Sequence, residues 1–139
     1  PPLVLDPRGT DPAEAAARKR AAFRAADLAL AASGTVSLEL AAAGTPMVIA
    51  YQMNWLTQRI MERMALIDTV TLVNLVSESR AVPEFLGANC RPGPIARELL
   101  RVLEAPARQE AAMRLTMERL GQGGEAPGLR AARAVLARL

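Results

Sequence analysis

The sequence has 139 residues, 51% of them hydrophobic, and a net charge of +3 from 17 Lys and Arg against 14 Asp and Glu. That is enough chain for one domain with its own core, and too apolar for a disordered tail. It contains no histidine, which removes the commonest general base and metal ligand, and no run nears the ~18 apolar residues of a membrane span. Neither a metal nor a cofactor is expected. The single cysteine, Cys90, has no partner for an internal disulfide, so a reducing, cytoplasmic setting is expected. Beside Arg91 it reads as a small filler rather than a reactive thiol. Lys19 is the only lysine, and the arginines are spread among acids with aromatics at 3%. That pattern lacks the clustered cations and stacking rings of a nucleic-acid surface, although a mildly basic face suits anionic lipid headgroups.

The opening "PPLVLDPRGT" has no basic-then-apolar leader pattern, and it reads as an internal stretch rather than a natural start. "LVLD", Leu3 to Asp6, is expected to end a short strand. Pro12 to Ala26 reads as a helix, with Asp11 as N-cap and Pro12 at the first position. "DLALAA" is a short continuous apolar run, as in a strand buried on both faces of a parallel sheet. Thr35 to Ala43 reads as helix and stops at Gly44, with Pro46 just beyond. "PMVIAY", Pro46 to Tyr51, is a second strand. "NWLTQRIMERMALI" places Leu56, Ile60, Met64 and Ile67 on one face of an amphipathic helix. "TVTLVNLV" is expected to be the third strand, and "AVPEFLG" a turn followed by a short helix. Pro94–Glu104, Pro106–Leu120 and Ala126–Leu139 are helical in composition. The expected fold is α/β: a partial doubly wound, Rossmann-like parallel sheet over residues 1–90, with an all-helical tail over 91–139 packed on it.

The chemistry-bearing stretch is "LALAASGTVSLELAAAGTP". A strand that passes through Ser33, Gly34 and Thr35 into a helix puts backbone amides at the carboxyl edge of a parallel sheet, where open α/β folds bind ligands. Gly34 permits close backbone approach, and the helix end favours an anion. The plainer alternative is that Ser-Gly-Thr only caps the helix. Glu39 lies one turn below Thr35 on the same face. There it is placed to accept hydrogen bonds from a vicinal diol such as a ribose; its plainer alternative is an exposed helix glutamate.

"AADLALAASGTVSLELAAAGTPMVIAYQMN" and "TLVNLVSESRAVPEFLG" together resemble the signature region of the lipid-A-disaccharide synthase family. More distantly, "SGT…LELAAAGTP" is similar to the donor-binding half of other GT-B glycosyltransferases. The resemblance runs from about Phe23 to Cys90. It departs from the family at Val73, where a proline is usual, and at "SESR". It implies a glycosyltransferase that uses UDP-2,3-diacylglucosamine as donor and 2,3-diacylglucosamine 1-phosphate as acceptor. By position, Ser33, Gly34 and Thr35 would meet the diphosphate and Glu39 the ribose. Tyr51, Gln52, Met53 and Asn54 would border the donor sugar. Asn74 and Glu84 match motif positions, either as binding residues or as groups that hold the loop in place. The family is a longer two-domain enzyme, so this chain reads as its C-terminal donor portion, inactive alone. The acceptor and the catalytic base belong to the N-terminal domain, and no residue here is assigned as base.

Two other readings compete. One is a different UDP-sugar GT-B enzyme, such as a peptidoglycan glycosyltransferase; the Tyr51–Asn54 and Asn74–Glu84 segments argue against it. The other is a non-catalytic module for homodimerisation or peripheral contact with the inner membrane. That module would use the helical tail and the Trp55–Ile67 helix, where Trp55 lies near Arg59 and Arg63.

Overall fold

The computed structural model describes residues 1–32, 34–52 and 69–138. Helix α1 spans Pro12–Ala25, and the Asp11 carboxylate accepts from the backbone N–H groups of Ala13 and Glu14. Strand β1 is Ala29–Ala31, helix α2 Val36–Ala43, and strand β2 Met47–Tyr51. Gly44 ends α2 in the left-handed region at φ 77°, and its N–H donates back to Ala41. Helix α3 is Leu72–Ser77 and strand β3 Glu84–Leu86, followed by a 3₁₀ turn at Gly87–Asn89. Helices α4 (Pro92–Glu104), α5 (Ala107–Leu120) and α6 (Pro127–Leu136) complete the described chain.

The three strands lie in the order β1-β2-β3, all parallel. The fold is therefore α/β with a partial Rossmann-like sheet, as expected. Ala31 pairs with Ile49, and Ile49 with Glu84 on the other side. Side chains alternate across β2. Met47 and Ile49 face one core with Leu40 of α2, Val73 of α3 and Met113 and Met117 of α5. Val48 and Ala50 face a smaller core with Ile95, Leu99 and Val102 of α4. The tail helices α4 and α5 thus cover opposite faces of the sheet.

Three sequence expectations need correction. The third strand is not "TVTLVNLV": residues 72–77 form α3, and the strand comes from Glu84–Leu86, where a turn and helix were expected. A short apolar run does not distinguish a strand from a buried helix, and here packing decides. Val73, Asn74 and Ser77 are buried, at helical spacing. The Glu84 carboxylate accepts the N–H groups of Val70 and Thr71, 2.9 and 2.7 Å away, at the entrance to α3. Second, "DLALAA" is not buried on both faces. Ala29 and Ala31 pack on the larger core, but Leu30 points the other way and is 56% exposed. Third, Leu3–Asp6 form no strand and are exposed. The expected amphipathic helix over Asn54–Ile67 lies outside the described residues.

One long-range contact ties tail to sheet. The Gln109 side chain of α5 accepts from the Met47 N–H at 2.9 Å and donates to the Met47 carbonyl at 2.8 Å. A buried side-chain amide here does what a neighbouring strand would otherwise do.

Candidate functional site

The carboxyl edge of the sheet is built by the ends of β1 and β2. Parallel register sets Ala31 beside Ile49, so Tyr51 lies two residues beyond the end of β1, at the level where the chain turns toward α2. Gly34 and Thr35 are exposed there, as are Tyr51 and Gln52. Gly34 has φ 117°, outside the range that L-residues favour, and among the described residues nothing lies within 4 Å of where a Cβ would stand. Thr35 is the N-cap of α2 and makes no side-chain cap bond. The first turn closes through Leu38 and Glu39 N–H groups donating to the Thr35 carbonyl, at 3.0 and 3.2 Å. The Ser37 hydroxyl donates to the Gly34 carbonyl at 3.0 Å, which fixes the turn from below.

Glu39 stands one turn into α2. Its Oε2 is 2.6 Å from the Lys19 Nζ of α1, with 39% of the Glu39 side chain and 50% of the Lys19 side chain exposed. The acid is therefore neither buried nor free in solvent. It is tied to the neighbouring helix, with its second oxygen unpartnered among the described residues. Lys19 is a residue that sequence reasoning did not single out. The only signals were that it is the sole lysine and that it precedes Phe23 by one turn.

Asn74 and Glu84 are joined through Thr69. Asn74 is fully buried: its Nδ2 donates to the Val82 carbonyl at 2.8 Å, and its Oδ1 accepts from the Val82 N–H at 2.9 Å. The Thr69 hydroxyl links the pair, accepting from Asn74 at 3.3 Å and donating to Glu84 at 2.9 Å. Glu84 also accepts the Thr71 hydroxyl. These contacts fasten residues 69–71 and the α3–β3 connection to the sheet. The structure thus brings Gly34, Thr35, Tyr51 and Gln52 to one edge, with Glu39 one helical turn below Thr35, and sets Asn74 and Glu84 apart in a buried network. Ser33, Met53 and Asn54 lie outside the described residues. Among the described residues no cluster of His, Cys, Asp or Glu could hold a metal ion. No helix among them is long and apolar enough to cross a membrane.

An exposed glycine turn at the carboxyl edge of a parallel sheet, with an acid one turn below, occurs in many nucleotide-binding folds. The family follows from a wider match. Residues 10–136 match the family model described as lipid-A-disaccharide synthetase. The chain belongs to that family.

It is 74% identical over 138 residues to a lipid-A-disaccharide synthase of Ruegeria pomeroyi, covering 99% of this chain and 34% of the relative. It is 45% identical over 120 residues to a synthase of the same name from Paramagnetospirillum magneticum, covering 83% of this chain and 31% of the relative. A third, from Bradyrhizobium diazoefficiens, is 43% identical over 124 residues, covering 87% of this chain and 32% of the relative. The chain spans about a third of the length of these curated family members.

Proposed function

We propose that this chain is the nucleotide-sugar-binding part of a glycosyltransferase that makes lipid A disaccharide 1-phosphate. The donor is UDP-2,3-diacylglucosamine, the acceptor 2,3-diacylglucosamine 1-phosphate, and UDP the second product. The observation that carries the reading is the family match across residues 10–136, because it includes both the Gly34–Glu39 turn and the network around Asn74. In the reaction the acceptor 6-hydroxyl attacks the anomeric carbon and the bond to UDP breaks. The base that takes the hydroxyl proton belongs to the N-terminal domain. Ser33, Gly34, Thr35 and the first turn of α2 bind the leaving diphosphate and stabilise its charge through amides aligned before the reaction. Glu39 accepts the ribose hydroxyls, and Tyr51, Gln52, Met53 and Asn54 border the sugar.

Hydrogen bonds to a charged group contribute about 1.5–3 kcal/mol, so Glu39→Ala in the full-length protein should raise the donor KM roughly ten- to a hundredfold. An unchanged donor KM would remove Glu39 from the ribose site.

Contact with the cytoplasmic face of the inner membrane, or with a second copy, forms the other half of the proposal. Helix α6 exposes Leu129, Val135 and Leu136 beside Arg130 and Arg133, the mixture of apolar and basic groups that suits an anionic lipid surface. Sedimentation with anionic liposomes and light scattering test it. A strict monomer that stays in the supernatant would rule this half out.

A further inference from the structure

Lys19 lies on α1 one turn before Phe23. Phe23 packs against the larger core, and its carbonyl accepts the Thr45 hydroxyl at 2.6 Å. Residues four apart share a helix face, so the docking that seats Phe23 also carries Lys19 over α2. The ammonium meets Glu39 Oε2 at 2.6 Å. Neither side chain has another partner among the described residues. An ammonium is a point charge with three donors, whereas a guanidinium is a planar fork that tends to take both oxygens of a carboxylate. The chain uses arginine for every other cation, yet it places its single lysine here. The result is a carboxylate with one oxygen tethered and the other left open.

Resting on the ribose reading of Glu39, we infer that Lys19 is a positioning residue for nucleotide recognition. It holds Glu39 by one oxygen so that the other is presented, already oriented, to the 2′,3′-diol. The carboxylate then loses less rotamer freedom when the nucleotide arrives. A plain structural tether between α1 and α2 would make no distinction between a ribose and a deoxyribose, and it would be satisfied equally by arginine.

The test is calorimetric titration of UDP and 2′-deoxy-UDP into the full-length protein and its Glu39→Gln, Lys19→Met and Lys19→Arg variants. Wild type should prefer UDP, and Glu39→Gln should abolish that preference. Lys19→Met should weaken UDP roughly two- to fivefold, the scale on which half-exposed ion pairs act, and weaken 2′-deoxy-UDP, which keeps only the 3′-hydroxyl, by less. Lys19→Arg should keep the thermal midpoint of wild type yet lose the preference, because the fork closes the second oxygen. Equal weakening of both nucleotides by Lys19→Met, tighter UDP binding by it, or an unaltered preference in Lys19→Arg would each overturn the positioning role while leaving Glu39 on the ribose. A preference that survives Glu39→Gln would overturn the ribose reading itself, and the role of Lys19 with it.

Discussion

Asn74 is wholly buried, and both ends of its amide are answered by the backbone of Val82. Replacing it with alanine leaves a buried N–H and a buried carbonyl without partners. At about 1–3 kcal/mol for each such group, Asn74→Ala should lower stability by roughly 2–6 kcal/mol, read from the midpoint of urea unfolding. An exposed asparagine would give almost no shift, so the size of the change is diagnostic. At this scale the sequence was only partly legible. An asparagine inside "TLVNLV" stands out as a polar residue that must be satisfied, but nothing in the letters points to Val82. Glu84 is similar: its partners at residues 69–71 lie 13 to 15 positions earlier, beyond any helical or strand period. The ion pair of Lys19 with Glu39 spans two helices and has no periodic signature at all.

Among the elements, β1, α2 and β2 could be read in advance because local chemistry and packing agree. Gly34 and Thr35 open the helix, Gly44 closes it at positive φ, and two apolar runs flank it. The failures came where local and long-range preferences disagree. Val and Thr favour strands, yet residues 72–77 form a helix, because Glu84 holds the amides of Val70 and Thr71 at its entrance and Val73 and Ser77 both turn inward. Helix α5 shows the same dependence from the other side. Its Gln109 gives β2 two hydrogen bonds at Met47 that pattern reading did not foresee. Gln109→Leu keeps a side chain of similar size but removes the amide and strands both backbone groups. The expected loss is about 2–4 kcal/mol, with α5 exchanging its amide hydrogens faster than α4. Equal acceleration of both helices would argue that the contact merely contributes to global stability.

For the molecule as a whole, the sheet is asymmetric. Both faces of β2 are covered, whereas β1 has a neighbour on one side only among the described residues, and its Leu30 is 56% exposed. Parallel strands are normally covered on both faces, and an uncovered strand invites another chain. The isolated chain is therefore expected to associate as its concentration rises, and Leu30→Lys should suppress this without altering its circular dichroism. Sedimentation velocity over a range of concentrations measures it; wild type that stays monomeric throughout would show that Leu30 is harmless. The α/β class was legible from the two apolar runs and their short connections. The uneven cover was not, since it depends on which face each distant tail helix chooses.

The paired hydrogen bonds between Gln109 and Met47 also have a consequence in time. The two residues are separated by 62 positions, so during synthesis the strand is made long before its amide partner leaves the ribosome. Until then the backbone of Met47 can be satisfied only by water, and the hydrophobic residues around it have no settled place. This pairing of β2 therefore forms only after residue 109 has been made, 62 positions after the strand begins.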